Sequence, residues 1–231
     1  MIDLSSVLSV DTAPRLYELT DDEWDAEYNC SYSSDGLRLV DAENFPGAVV
    51  VRDGCRILCD GVFAFQDYMA ENDHFGEEIP VDERVSFLDK ITLPSSLTHI
   101  GKEAFMLCGW LRSLRLPKSL LMIGERAFKD CWQLESVSCP ATLLSIGDQA
   151  FEDCFSLYHL RLNKKLKLIG DNAFHCCEQL EEISLPAGLE YIGPSAFKEC
   201  TALEAIYVPA GTANRFRKML PARLGRILEE E

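Results

Sequence analysis

The chain has 231 residues, 47% of them hydrophobic and 26% charged, an ordinary globular composition long enough for one large solenoid or two small domains. Its 38 acidic side chains against 22 basic ones give a formal net charge of −16, which argues against a nucleic-acid backbone or an anionic membrane surface as the main partner. No apolar run approaches the roughly 18 residues of a spanning helix, so no membrane insertion is expected.

The first thirty residues carry no basic start followed by an apolar stretch, and the expectation from the chain as it stands is a cytoplasmic protein without a secretory signal. Residues 1–57 lack any repeat and are read as an N-terminal cap. They contain Gly36-Leu37-Arg38-Leu39-Val40 and an expected hairpin in which Val49-Val50-Val51-Arg52 and Cys55-Arg56-Ile57-Leu58 flank Asp53-Gly54. Leu58, Phe63 and Met69 then open a stretched repeat that closes at Ile91, Leu93 and Pro94, with a 19-residue acidic insertion at about 70–88 read as a solvated loop. Residues 1–90 hold 21 acids and 6 bases, against 17 and 16 in the remainder, so the acidity belongs to the cap and the insertion. It serves solubility or a basic partner at the N-terminal end.

From there the chain repeats with a 23-residue step. Ile-Gly begins at 100, 123, 146, 169 and 192; Ala-Phe pairs end at 105, 128, 151, 174 and 197; cysteines follow at 108, 131, 154, 177 and 200. Each Leu-x-x-Leu-x-Leu segment reads as one short strand with a buried face, closed by proline except at Asn163. Ile-Gly marks a turn, and the Phe and Cys three apart in Ala-Phe-x-x-Cys occupy one helical or 3₁₀ turn on an inward face. Stacked units bury these residues in one continuous core, which a lone unit cannot do. After the repeats at 58–210, residues 211–231 read as a C-terminal helical cap. Thr212 caps the helix, Phe216, Met219 and Leu220 turn inward, and Pro221 stops it.

These columns resemble the BspA-like, Treponema pallidum-type leucine-rich repeats, whose pattern reads approximately L-x-x-I-x-L-P-x-x-L-x-x-I-G-x-x-A-F-x-x-C, over about residues 88–210. The resemblance implies an α/β fold: a curved leucine-rich-repeat solenoid with a parallel sheet on its concave face, short 3₁₀ or helical turns on its convex side, and caps at both ends. It also implies a bacterial or protist protein of a kind often displayed on surfaces and bound to other proteins. A cell-surface or secreted location is therefore the alternative to the cytoplasm.

The chemistry-bearing residues have structural explanations. Five of the ten cysteines fall in one inward column beside Phe and are expected to be free thiols, as in a reducing compartment. His175, Cys176 and Cys177 have no second pair at zinc spacing, so no metal site is expected. Four histidines, none in a nucleophile motif, and no Gly-rich phosphate loop leave neither catalytic residues nor a cofactor to expect.

The variable positions are more informative. Between the inward leucines, outward columns read Thr92, Arg115, Ser138, Arg161, Ser184, Tyr207 and Lys90, Ser113, Ser136, His159, Glu182, Ala205. Trp110, Trp132, Phe155 and Tyr158 lie in the loops entering these strands, where the repeat does not require aromatics. Aromatics beside arginine anchor protein interfaces, so the expected binding residues are Trp110, Trp132, Phe155, Tyr158, Arg115, Arg161, His159 and Tyr207. The function read from this is a monomeric, non-catalytic module that binds a protein partner through the concave face and adjacent loops. A carbohydrate-binding or surface-adhesion module is the alternative, favoured by flat, exposed, parallel Trp110 and Trp132.

Overall fold

The computed structural model describes residues 4–13, 24–42, 47–64 and 86–231. Met69 and nearly all of the acidic insertion therefore lie outside the described residues. Among the described residues, a short helix, α1 (Leu4–Leu8), comes first, and then strands β1 (Trp24–Asp25), β2 (Cys30–Tyr32), β3 (Arg38–Ala42), β4 (Ala48–Val50) and β5 (Ile57–Leu58). The repeats supply β6 (Lys90–Thr92), β7 (His99–Ile100), β8 (Met122–Ile123), β9 (Ser136–Ser138), β10 (Ser145–Ile146) and β11 (His159–Arg161). They continue with β12 (Leu168–Ile169), β13 (Glu182–Ser184), β14 (Tyr191–Ile192) and β15 (Ala205–Val208). Helix α2 (Ala213–Met219), a 3₁₀ turn at Leu224–Arg226 and β16 (Leu228–Glu230) complete the chain.

Two sheets flank the core of a parallel solenoid. The first runs β1-β2-β3-β5-β7-β8-β10-β12-β14; its opening pairs are antiparallel, and from β3 onward every neighbour is parallel. The second consists of three parallel groups, β4-β6, β9-β11 and β13-β15-β16. Each regular turn thus carries two strand positions where one was expected, because the Ile of each Ile-Gly corner and the residue before it form a two-residue strand of their own. The expected hairpin is not formed. β4 pairs with β6, and β5 pairs with β3 and β7, all in parallel, since Val49 and Leu58 already stand in the columns of Ile91 and Ile100.

The repeated glycines are required for proximity. None from Gly101 to Gly193 has positive φ, but a Cβ on Gly124 would lie 2.7 Å from the Gly101 carbonyl carbon, and one on Gly147 2.6 Å from the Glu125 nitrogen. Consecutive turns approach too closely there for any side chain. Among the described residues, the third side of each regular turn has no strand. Its amides alternate: Phe105 and Leu107 donate to Ala127 and Lys129 of the next turn, while Met106 and Cys108 donate back to Glu103 and Phe105. Left-handed residues, such as Glu103 and Leu107, sustain this alternation and prevent a continuous 3₁₀ helix.

Inside, Phe63, Phe105, Phe128, Phe151, Phe174 and Phe197 stack with ring centroids 4.9–5.5 Å apart, close to the spacing between turns. The cysteine column beside them is buried, and all ten cysteines are free. Each column thiol donates to the phenylalanine carbonyl one turn back: Cys131 to Phe105 and Cys154 to Phe128 at 3.2 Å, Cys177 to Phe151 at 3.3 Å. Burial raises these thiols, Cys108 to about 12, so they stay protonated donors. The column thus suits Cys because it is small and apolar yet carries one weak donor. Asn163 fills its exceptional position with a buried amide that donates to Leu143 O at 2.9 Å.

At the C-terminal end, Phe216 of α2 and Leu220 just after it are buried, and Met219 packs half-buried against the core. Thr212 does not cap the helix with its side chain; its hydroxyl donates to Pro209 O at 2.6 Å. The Ala213 amide instead donates to Glu230 Oε1 at 2.9 Å, an acceptor supplied by β16. That strand, absent from the sequence expectation, extends the second sheet beside β15.

Candidate functional site

The second sheet and the loops entering it carry the residues singled out from sequence. In β11, Leu160 points inward while His159 and Arg161 are exposed; in β9, Val137 is inward and Ser138 exposed. Ser138 pairs with Arg161, and the Ser113–Ser136 bridge sets Arg115 level with Ser138. Arg115 and Arg161 are therefore two strand positions apart, roughly 10 Å, on one face. Both are exposed, and no hydrogen bond or ion pair within the described residues holds either guanidinium. An unpaired arginine of this kind offers a planar fork of donors to carboxylates or carbonyls and a flat face to aromatics.

The loop aromatics divide. Trp110, Phe155 and Tyr158 are exposed at 51%, 38% and 53%, but Trp132 is half-buried and its Nε1 donates to Asp130 Oδ1 at 3.4 Å. Trp132 and Phe155 occupy the same column on adjacent turns, tied by Ser156 N donating to Trp132 O at 3.2 Å. Trp110 belongs to a different column, so the two tryptophans do not form a matched pair. Tyr158 immediately precedes His159 and Arg161. Arg115, Trp132, Phe155, Tyr158, His159 and Arg161 accordingly fall on three successive turns, in the strands of the second sheet or the loops entering them.

Tyr207 stands apart from that group. It pairs with Ser184 on one side and Glu229 on the other, half-exposed beside a groove of about 450 Å³ that Lys164, Ser184 and Glu231 also line. Glu182 first, then partial burial, Glu229 and Glu231, raise its hydroxyl above the usual tyrosine range. The face accordingly changes sign along its length, from Arg115 and Arg161 to Glu182 and Glu229. The β16 strand creates the acidic end.

Other features lie outside the binding residues expected from sequence. Phe87 is 75% exposed, and Tyr191 of β14 is exposed on the first sheet. On the strandless side, Lys129 binds Glu152 at 2.6 Å, His175 Nδ1 meets Glu152 Oε1 at 3.1 Å, and Asp153, His175 and Cys176 converge. Burial alone would raise Glu152, but Lys129, Gln149 and His175 hold it below the usual carboxylate range. Reading columns 129-152-175 and 130-153-176 across the 23-residue step would have found this cluster.

The family described as BspA type leucine rich repeat region matches residues 84–204 in 6 copies. Among solved structures, the Treponema pallidum leucine rich repeat protein TpLRR is 26% identical, with a TM-score of 0.63 over 88% of this chain and 93% of that one. A leucine rich cell surface protein of Faecalibacterium prausnitzii is 24% identical, TM-score 0.59, over 80% of this chain and 53% of its own. The pneumococcal vaccine antigen PcpA is 18% identical, TM-score 0.64, over 88% and 46%. The last two share the fold, and the aligned region spans about half of each. No curated protein matches the chain.

Proposed function

We propose that this chain, which belongs to the BspA-type leucine-rich-repeat family, is a non-catalytic protein-interaction module that binds through the outward face of its second sheet and the loops entering it. Family membership supports the general role, since such repeats typically serve as protein-interaction modules. The observation that carries the choice of face is the grouping of exposed Tyr158 and Phe155 with the unpaired Arg115 and Arg161. An aromatic anchor loses water from a large area on binding, and an arginine supplies directional bonds around it. The sign change toward Glu182 and Glu229 gives the face a polarity that selects a partner of complementary charge order. A sugar platform built on two exposed indoles is disfavoured because Trp132 is half-buried and engaged with Asp130. A core column whose thiols donate to phenylalanine carbonyls suits a reducing compartment, the cytoplasm in our reading.

The double variant Tyr158→Ala/Arg161→Ala touches no buried column. It should unfold at the same temperature as wild type while losing a protein partner that wild type recovers from lysate of the source cell. Equal recovery by both proteins would move the binding site off this face.

A further inference from the structure

Two outward columns of the strandless side carry side chains that packing does not demand: Lys129, Glu152 and His175 in one, Asp130, Asp153 and Cys176 in the other. Residues 23 positions apart are neighbours on adjacent turns, and Asp153 N donates to His175 O at 2.9 Å, holding the two turns in register. The Asp153 carboxylate, a His175 ring nitrogen and the Cys176 sulfur all lie within 4.8 Å of one another. His175 Nε2 is 3.6 Å from Cys176 Sγ. Two ligands of a tetrahedral zinc ion stand about that far apart when the Zn–N bond is about 2.0–2.1 Å and the Zn–S bond about 2.3 Å.

The surroundings fit the same ion. Glu152 Oε1 lies 3.1 Å from His175 Nδ1, the other ring nitrogen, so the carboxylate can hold that proton and leave the Nε2 lone pair for a metal. Glu152 is itself fixed by Lys129 at 2.6 Å and Gln149 at 2.5 Å. Lys129 also stands 3.5 Å from Asp153 Oδ2. With the thiol ionised, Glu152, Asp153 and Cys176 against the Lys129 ammonium leave two negative charges, which a divalent ion neutralises. All three ligands are half-buried, open enough for an ion to enter.

We propose that Asp153, His175 and Cys176 form a three-ligand site for a zinc-class divalent cation, with Glu152 as the positioning residue for His175 and a fourth coordination position open to water or to a partner's side chain. A thiolate and an imidazole select zinc-like ions over calcium and magnesium, which prefer all-oxygen sites. Bound there, the ion ties the turn of residues 151–154 to that of 174–177. Cys177, adjacent in sequence, takes no part, because its thiol is committed to the core.

The test uses the reduced, tag-free full chain titrated with Co²⁺ as a spectroscopic probe, followed by Zn²⁺ in competition. One equivalent should bind with a sulfur-to-cobalt charge-transfer band, and Zn²⁺ should displace it. Cys176→Ser should abolish the band, and His175→Asn and Asp153→Asn should each weaken binding at least about tenfold. Glu152→Gln should weaken it about tenfold while the band remains. Cys139→Ser, at the other half-buried thiol, should change nothing. Metal-free thermal unfolding checks that each variant is folded. A band surviving in Cys176→Ser, no saturable binding by wild type, or equal affinity in the triple variant Asp153→Asn/His175→Asn/Cys176→Ser would overturn the site.

Discussion

The two sheets are built by the same turns, yet they differ in continuity. Along the first, seven successive strands from β3 to β14 pair without a break; along the second, the strands fall into two pairs and a trio. The first sheet sits at the glycine column, where backbone meets backbone and no side chain can intervene. The second keeps an inward aliphatic column of Val49, Ile91, Val137, Leu160, Ile183 and Ile206, but its outward columns change from Lys to Ser, His, Glu and Ala. Continuity follows the positions that packing holds constant, and variation collects where only the outside of the molecule sees it. A binding surface belongs with the variation.

The sharpest way to break this contrast is in the shared core. Phe151 stacks between Phe128 and Phe174 and is fully buried. Phe151→Ala should destabilise by about 3–5 kcal/mol in urea denaturation, because neighbouring turns cannot collapse into the gap from either side. A loss under about 1 kcal/mol would show that the ladder is not a core. Gly147→Ala tests the first sheet's close approach. Its new Cβ meets backbone rather than a movable side chain, so a loss of about 1–3 kcal/mol is expected. Ser138→Ala, at an exposed position of the second sheet, should change stability by less than about 0.5 kcal/mol.

Smaller effects sharpen the comparison further. Cys154→Ala removes a buried thiol donor from Phe128 O, which retains its bond from Cys131 N, and should cost about 1 kcal/mol. Thiol labelling of the native protein should reach Cys176 first and leave Cys131 and Cys154 untouched until unfolding. The Glu152 carboxyl, held below its ordinary value of 4.5, stabilises the fold fully above that pH and loses its contribution as pH falls through the depressed value. The stability difference between wild type and Glu152→Gln should accordingly be constant near neutrality and shrink in acid.

Much of this architecture was legible because columns spaced by 23 residues record contacts between turns directly. Phe105, Cys108 and Leu111 recur at one spacing, and all are buried. What escaped has physical reasons. A two-residue strand such as Ser145–Ile146 is too short to show alternation, and its partner lies a full turn away. The Asp53-Gly54 turn invited a hairpin because hairpin signals are local, whereas pairing here is settled by register with the next turn. β16 follows a helix and carries Leu-Glu-Glu, a polar segment held by β15. At the candidate site, sequence marked the aromatics and arginines and left open exposure or partial burial for the aromatics; which of them turns inward depends on contacts with the neighbouring loop, and there Trp132 is half-buried. The Asp153, His175 and Cys176 cluster was missed because only adjacent residues in the chain were weighed as ligands.

The most direct measurement compares the two sheets by their exposed tyrosines. Tyr158 at 53% and Tyr191 at 48% are nearly equally accessible, one beside the second sheet's arginines and one on the first sheet. Partner capture should be measured side by side for wild type, Tyr158→Ala/Arg161→Ala and Tyr191→Ala, each shown to unfold at the wild-type temperature. Loss of the partner in the first variant with full recovery in the second is the predicted result; full recovery in the first with loss in the second would contradict it.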